Sequence, residues 1–178
     1  MGLKQDYTVK PMKHHEARPF IARHHYSGGS SCFSSVTFGM FEKNTGALMG
    51  VAHWMPPARG VCVHFGRSDI YNLSRLVVHP SVPKNGASFL IGACMRQIKK
   101  SGKAGMLVTY ADQAEGHTGA IYRATNWQYD GLTKPAWRWQ DENGVMRSSL
   151  AHRVKDMKER GWVRSGPFHK HRFVYYIF

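Results

Sequence analysis

Cysteine is scarce in this 178-residue sequence. The three cysteines, Cys32, Cys62 and Cys94, are odd in number, widely spaced and never arranged as Cys-x-x-Cys. Small secreted domains depend on even sets of cysteines, and structural zinc sites depend on closely spaced pairs. The sequence therefore argues against a disulfide framework and against a structural zinc site, and it favours a reducing, cytosolic compartment.

Long apolar runs are also missing. The longest apolar stretch, around Phe89 to Met95, is much shorter than the roughly 20 residues that a membrane-spanning helix needs. No apolar signal-peptide core follows Lys4. We therefore expect a soluble protein that does not associate with membranes.

Acidic residues are few, with 11 Asp and Glu against 25 Lys and Arg, which gives a net charge of +14. A charge this large exceeds what solubility requires and indicates a polyanionic partner, with nucleic acid as the first candidate. The plainer alternative is a ribosome-associated or merely basic soluble protein. The length favours one domain, residues 1–178, with its own core.

Apolar periodicity predicts strands alternating with helices, and so a mixed sheet of the α/β class (α+β in the wider sense). Lys43-Asn44-Thr45-Gly46 between two apolar runs predicts a hairpin. The predicted helices are KHHEARPFIARHHY, the segment that begins at Gly86, GHTGAIYRATNW, and SSLAHRVKDMKERG, which ends at Gly161. The predicted strands are DYTVKPM, SVTFGMFE, ALMGVAHWM, NLSRLVV, GMLVTYAD, QYDGLT and HRFVYYIF.

The segment from Asn72 to Ile98 reads as a strand, a proline-bounded loop and a helix that begins at Gly86-Ala87-Ser88. The N-terminus of a helix presents unpaired backbone N–H groups and the positive end of the helix dipole, and small residues let an anion approach them. The junction is therefore either a phosphate site or an ordinary turn with small residues, and the local pattern favours neither.

Three segments carry a resemblance to a known family: HHYSGG, LSRLVVHPSVPKNGASFLIG and YADQAEGHTGAIYRATNWQYDG. They resemble the phage Mom family, within the GNAT acyltransferase superfamily, over roughly His24 to Gly131. The resemblance implies a GNAT-like fold with a central twisted mixed sheet flanked by helices. It also implies conversion of the exocyclic amine of adenine in DNA to a carbamoylmethyl (acetamido) derivative, which protects phage DNA from host restriction in the bacterial cytoplasm.

The same resemblance implies that acyl-CoA, such as acetyl-CoA, is a co-substrate. Pro83 and Ser88 stand where the superfamily usually has Gln or Arg and Gly or Ala, and Lys84 is the nearest cation. The implied cofactor-binding residues are a strand segment and the loop that carries the pyrophosphate: Leu76, Val77, Val78, Lys84, Asn85, Gly86, Ala87 and Ser88.

Arg75 and Asp112 match the Arg and Asp of Mom-like motifs, and both are expected on neighbouring parallel strands. A charge within an apolar strand is costly unless it is paired, so Arg75 is expected to contact Asp112 or a bound anion. The amine of adenine is a poor nucleophile, which makes Asp112 the candidate base. Tyr122 is the candidate proton donor or positioning residue. The alternatives are a purely structural ion pair and an ordinary core tyrosine.

His25 and Tyr26 match the HY motif of the Mom family, which implies a position near the active site for both, with Tyr26 among the catalytic residues. His25, Asp112 and a water could bind iron(II), which favours histidine and carboxylate ligands. The alternative is a solvated or capping histidine at the end of a helix.

Acting on a base within duplex DNA requires unstacking it, and cations interleaved with aromatic residues suit exposed bases and phosphates. The candidate nucleic-acid contacts are Arg59, Arg67, Lys134, Trp137, Arg138, Lys170 and Arg172, with Trp139 as an alternative to Trp137. Trp54 and Trp127 are expected to pack in the core. Formation of a homodimer is a further alternative. The rival functions are a GNAT N-acetyltransferase of a protein, RNA or small amine, and a non-catalytic nucleic-acid-binding protein.

Overall fold

The computed structural model describes residues 2–27, 34–148 and 154–177. None of the helices in these ranges is long and apolar enough to cross a membrane. A 3-10 helix covers Gln113–Glu115. The α-helices are α1 (Leu3–Asp6), α2 (His14–His24), α3 (Arg59–Phe65), α4 (Gly86–Ser101), α5 (Ala120–Arg123) and α6 (Val154–Glu159). The strands are β1 (Tyr7–Met12), β2 (Val36–Glu42), β3 (Leu48–Met55), β4 (Ile70–Val78), β5 (Met106–Asp112), β6 (Gln128–Leu132), β7 (Ala136–Gln140), β8 (Met146–Ser148), β9 (Val163–Phe168) and β10 (Lys170–Tyr176).

The chain divides into two compact units. The first unit consists of Met1–Thr109, Ile121–Gln128 and Val174–Phe178, and the second consists of Tyr110–Ala120 and Tyr129–Phe173. The assignment of residues 1–178 to a single domain stays a prediction.

The main sheet has seven strands in the order β1-β2-β3-β4-β5-β10-β6. The first four strands pair antiparallel in sequence order, and β4 pairs with β5 in parallel. The sheet is therefore mixed, as predicted. The hairpin predicted at Lys43-Asn44-Thr45-Gly46 is confirmed by the antiparallel pairing of β2 with β3.

Helices α2 and α4 cover opposite faces of β3 in the first unit. Ala17 and Ile21 of α2 pack in one buried cluster with Val51 of β3. A side chain at the preceding residue, Gly50, would instead meet Leu90 of α4. Because consecutive strand residues point to opposite faces of a sheet, these contacts place the two helices on either side of β3.

Strand β4 contains a bulge. His53 of β3 lies opposite Arg75, whereas the next residue, Trp54, lies opposite Leu73, so Ser74 is an extra residue in the ladder. A bulge bends a strand and redirects its side chains. As a result, Leu73 shares a face with Trp54, and Arg75 shares the other face with His53, although Leu73 and Arg75 are only two residues apart.

The second unit contains a separate three-stranded antiparallel sheet, in the order β8-β7-β9. Its small core consists of Trp139 of β7, Met157 of α6 and the nearby Trp162. Helix α6 ends before Gly161, whose φ of 73° is the left-handed geometry that glycine adopts readily. The predicted end of this helix is thus confirmed, and its predicted beginning falls partly outside the described residues.

Candidate active site

Arg75 lies within β4, on the face of the sheet that α2 covers. Its Nη1 donates a hydrogen bond to the carbonyl of Ser74 at 2.7 Å. Burial lowers the pKa of the Arg75 guanidinium, and the nearby phenol of Tyr26 partly opposes that shift. The structure therefore brings together Arg75 and Tyr26, two of the predicted catalytic residues. Tyr26 itself is 54 % exposed, so it lies within reach of a ligand from solvent.

A buried histidine that the sequence analysis missed lies directly opposite Arg75. Nδ1 of His53 is 2.9 Å from Oγ1 of Thr37, and this oxygen is 3.1 Å from Oγ of Ser34. The ring of His14, on α2, stacks on His53 with 4.1 Å between the ring centroids. The signal was available in the sequence, because His53 interrupts the apolar run of β3 as Arg75 interrupts that of β4.

Asp112, the predicted base, is the last residue of β5 and only 3 % exposed. Its Oδ1 accepts a hydrogen bond from the N–H of Ala114 and so caps the 3-10 helix. Its Oδ2 forms ion pairs with Arg138 and with Lys170, whose Nζ lies 3.1 Å away. Both carboxylate oxygens are thus engaged within the second unit. The predicted contact with Arg75, a residue of the first unit, stays a prediction.

Tyr122 lies on α5 in the first unit, next to the ring of Trp127. Burial raises the pKa of its phenol, and a hydrogen bond with the side chain of Thr109 partly counteracts the rise. Because an ordinary tyrosine already titrates near pH 10, the phenol stays protonated at neutral pH. Tyr122 can therefore donate a proton but cannot accept one under these conditions.

The N-terminus of α4 carries most of the predicted cofactor-binding residues. No side chain among the described residues caps its first turn, and that turn contains no acidic residue. Its N-cap residue, Asn85, has the left-handed φ of 71°. A Cβ at Gly86 would lie 2.4 Å from Cγ1 of Val82, so packing of the loop requires this glycine whether or not a ligand approaches it. The first turn of α4 nevertheless fits a phosphate group.

The strand segment predicted to bind the cofactor is paired on one side only. In the described residues, the ladder between β4 and β5 runs from Ile70–Met106 to Leu73–Thr109, whereas the ladder with β3 continues to Val78. The side chain of Val77 is buried against α2 and cannot contact a ligand. The backbone of Leu76 and Val78 is the part of this segment that could pair with an extended ligand.

A metal site is not supported. Among residues 2–27, 34–148 and 154–177, no group of three or more His, Cys, Asp or Glu side chains could hold a metal ion. Nδ1 of His25 instead accepts a hydrogen bond from the N–H of Ser27 at 3.1 Å and lies 2.8 Å from the Ser27 hydroxyl. The iron(II) site predicted at His25 and Asp112 therefore stays a prediction without support from the described residues, and His25 stabilises the turn that follows α2.

Many of the predicted nucleic-acid contacts already have carboxylate partners. Arg67 forms two hydrogen bonds of 2.6 Å with Asp69. Arg172 pairs with Asp130. Both Arg138 and Lys170 pair with Asp112. Arg59 and Lys134 are exposed and form no ion pair within the described residues, which leaves them the most available cations of the predicted set.

The tryptophans differ in how far they are buried. Trp54 and Trp127 are buried, which confirms that they pack in the core. Trp139, the alternative to Trp137, is also buried, so its assignment to nucleic-acid contact is wrong. Trp137 remains 40 % exposed. The guanidinium of Arg164, which the sequence analysis missed, lies 3.8 Å from its ring centroid.

Positive charge is concentrated in the first unit. That unit has 15 of the 25 Lys and Arg residues and 4 of the 11 Asp and Glu residues, whereas the second unit has 10 and 7. The net charges are therefore +11 and +3. Five of the seven predicted nucleic-acid residues belong to the less basic second unit. A large part of the positive surface was thus not represented in that prediction.

The Mom protein family matches residues 6–177. The chain belongs to the Mom protein family. Since the match covers nearly the whole chain, the resemblance read from the three motifs is confirmed. No curated protein matches the chain significantly.

Solved structures with similar folds are GNAT acetyltransferases. The ribosomal-protein-S18-alanine N-acetyltransferase of Escherichia coli is 10 % identical with a TM-score of 0.58, over 96 % of this chain and 94 % of the other. An N-acetyltransferase of Staphylococcus aureus Mu50 is 13 % identical with a TM-score of 0.58, over 96 % and 97 %. A GNAT acetyltransferase of Elizabethkingia anophelis with acetyl-CoA bound is 10 % identical with a TM-score of 0.56, over 96 % and 98 %. This Mom family chain thus has the acyltransferase-like α/β fold predicted from its sequence.

Proposed function

We propose that this Mom family protein modifies the exocyclic amine of adenine in double-stranded DNA, with acyl-CoA as co-substrate, and yields a carbamoylmethyl derivative. The observation that carries the proposal is the family match over residues 6–177. The net charge of +14 supports a polyanionic substrate. A modified adenine would protect phage DNA from restriction in the bacterial cytoplasm.

Acyl-CoA binding is supported by two features of the first unit. The first turn of α4 offers backbone N–H groups and the positive end of the helix dipole to the pyrophosphate, with Lys84 nearby. The one-sided pairing of β4 beyond Leu73 leaves backbone groups that could bind an extended chain such as pantetheine. When bound, acyl-CoA supplies the activated carbon group.

The proposed roles of the protein groups follow from their surroundings. The lone pair of the adenine amine is delocalised into the ring, so a base must take its proton, and Asp112 is the proposed base. Because Oδ2 of Asp112 already contacts two cations, departure of one of them would make this oxygen available to take a proton. Lys170 is the more mobile candidate, since its side chain is 41 % exposed against 15 % for Arg138, and a DNA phosphate could attract it.

Tyr122, which stays protonated, is the proposed donor to the leaving thiolate. Arg75 is the proposed group that binds negative charge developing on the transferred group, because its guanidinium is charged and partly desolvated. A carbamoylmethyl group is attached through its methylene carbon and carries an amide nitrogen, so thioester acyl transfer alone does not produce it. The proposed product also requires a nitrogen donor, whose attack on the thioester releases the thiolate, and a two-electron oxidant that allows the methylene carbon to bond to the adenine nitrogen. The product therefore distinguishes the proposal from its closest rival.

That rival is a GNAT enzyme that acetylates a protein, RNA or small amine. We expect nucleosides from the DNA of cells expressing the chain to include a modified deoxyadenosine, which mass spectrometry of the digested DNA would detect. Carbamoylmethyl and acetyl adducts differ in composition by one NH. Unmodified DNA together with acetylated protein or RNA would favour the rival, and DNA without any adduct would favour a non-catalytic DNA-binding protein.

The proposed acyl-CoA site can be tested with a substitution that adds a negative charge at Asn85 and preserves the shape of the side chain. We expect Asn85→Asp to raise the dissociation constant of acyl-CoA at least about fivefold, since a carboxylate at the N-cap repels the pyrophosphate by roughly 1 kcal/mol or more. The same carboxylate interacts favourably with the helix dipole, so the melting temperature should not fall. Isothermal titration calorimetry and thermal denaturation would measure both quantities.

Asn44→Asp, in the exposed turn between β2 and β3, is the matched control, because it alters net charge equally and lies in a different loop. If Asn85→Asp and Asn44→Asp weaken acyl-CoA binding to the same small extent, the pyrophosphate does not lie at the N-terminus of α4.

A further inference from the structure

We propose that Trp137 and Arg164 form a stacking platform in the second unit for an unpaired nucleobase. The inference rests on the proposed function in one respect, namely that the substrate is DNA. It adds a binding site to that function, with Arg164 as a residue that neither the family motifs nor the sequence pattern indicated.

Trp137 differs from every other tryptophan of the chain in its surroundings. All five tryptophans fall within the described residues, and the other four, Trp54, Trp127, Trp139 and Trp162, are at most 8 % exposed. Trp137 is 40 % exposed. Keeping a large aromatic ring in water is unfavourable, so a solvent-facing tryptophan commonly marks a surface that binds a partner.

The pairing between β7 and β9 is irregular at this residue. Ala136 lies opposite Phe168 and Arg138 lies opposite Ser165, so β9 has two residues, Gly166 and Pro167, where β7 has only Trp137. Irregularities of this kind redirect a side chain out of the ladder. The exposure of Trp137 is thus a consequence of how β7 pairs with β9.

Arg164, on the adjacent strand β9, lies over the Trp137 ring at 3.8 Å. An arginine in this position is attracted to the ring by its π electrons and also keeps the ring in one orientation. Among the described residues, Arg164 forms no ion pair, in contrast to Arg138, Arg147 and Arg172. Its charge remains available to the phosphate next to a stacked base.

The occupant that fits is a nucleobase without a pairing partner, either single-stranded or in a duplex from which the opposite base has been extruded. Sequence-independent binding of single strands combines aromatic rings, on which bases stack, with cations that contact the backbone. An enzyme that modifies an amine within a duplex must unstack the target base, which exposes such unpaired bases. The positive charge of Arg164 beside the ring favours this partner over an apolar protein surface.

A comparison of two oligonucleotides distinguishes the contribution of base stacking to affinity from that of phosphate charge. An oligothymidylate and an abasic oligonucleotide of equal length carry the same phosphates, but only the first has bases. We expect the parent protein to bind the oligothymidylate more tightly in fluorescence anisotropy. Trp137→Leu should lose roughly five- to 150-fold in affinity for the oligothymidylate, the factor typical of one base stacked on an aromatic ring, and little for the abasic strand. Trp137→Phe should retain most of the preference.

Arg164→Gln should weaken binding of both strands, with the larger loss for the oligothymidylate. Its matched control is Arg160→Gln, which removes another arginine beside a tryptophan ring, at 5.9 Å from the buried Trp162. Thermal denaturation of each variant separates loss of binding from loss of folding. Arg160→Gln should leave the preference for bases unchanged.

The possible outcomes are distinct. A folded Trp137→Leu protein that binds the oligothymidylate as tightly as the parent, or that loses equal affinity for both strands, overturns the platform while leaving adenine modification intact. A parent protein that binds neither oligonucleotide nor duplex DNA overturns the platform and also removes DNA from the proposed function.

Discussion

Asp112→Asn is expected to lower adenine modification by about two to four orders of magnitude, because asparagine preserves the shape of the side chain and removes its basicity. Asparagine can still accept the hydrogen bond from the N–H of Ala114 through its side-chain oxygen. It cannot balance the charges of Arg138 and Lys170, however. The rate should be measured as modified adenine per protein molecule in a purified reaction.

The same substitution is expected to destabilise the protein, since it leaves Arg138, whose side chain is only 15 % exposed, without a counter-charge. Removing one partner of a buried ion pair typically costs about 3–5 kcal/mol. Lys170 can turn towards solvent and should contribute less. Asp112→Asn combined with Arg138→Gln removes both buried charges and should regain much of the free energy of unfolding while activity stays low.

This double variant separates chemistry from structure. If activity returns together with stability, Asp112 serves only to balance charge. A well-folded Asp112→Asn variant that modifies adenine at nearly the parental rate would likewise remove Asp112 from the mechanism. The role of base would then pass to a histidine, because the raised pKa of Tyr122 keeps its phenol protonated.

The affinity for duplex DNA is expected to fall steeply with salt, because each phosphate that a Lys or Arg neutralises releases condensed counterions. A protein with six to ten phosphate contacts loses about 10³–10⁵ in affinity between roughly 50 and 200 mM salt. Anisotropy at several salt concentrations gives the binding constant. The slope of its logarithm against the logarithm of the salt concentration gives the number of phosphate contacts.

Single substitutions can show which cations contribute to this salt dependence. Arg59→Gln and Lys134→Gln remove exposed cations without an ion pair in the described residues, and each should reduce the slope by about one contact. Arg67→Gln changes net charge equally but removes a guanidinium already bound to Asp69, so its slope should stay close to that of the parent. Affinity that is flat between low and physiological salt would show that the positive surface does not bind DNA.

Predictions from the sequence were most accurate where apolar periodicity is strong. The strand Met106–Asp112 and the helix that begins at Gly86 consist of long apolar runs with clear limits, and both occur as predicted. Helix α3 was missed because it has only seven residues and follows two prolines, which read as the end of β3. The small sheet was missed because β8 has only three residues and because β7 pairs with β9 across β8 and α6, which spacing along the chain cannot reveal.

The sequence predicted several residues of the candidate site but not most of the contacts that these residues make. Arg75 attracted attention as a charge within an apolar strand, and the motif placed Tyr26 nearby, which its effect on the pKa of Arg75 supports. The ion-pair partners of Asp112 could not be predicted, since Arg138 is 26 residues away and belongs to a strand without a clear pattern. Arg164 was missed for the same reason, because its contact with Trp137 depends on strand pairing.

The extra residue in β4 makes the length of this strand as important as its composition. Deleting Ser74 would restore a regular ladder in which Leu73 and Arg75 still point to opposite faces, whereas deleting a residue from the regular part of the strand would turn the residues on one side of the deletion to the other face of the sheet. An alignment with a strand that lacks the bulge therefore needs a one-residue gap between Leu73 and Arg75. Without that gap, an inward-facing residue would be compared with an outward-facing one. Across relatives, substitutions in this strand should consequently be far more common than insertions or deletions.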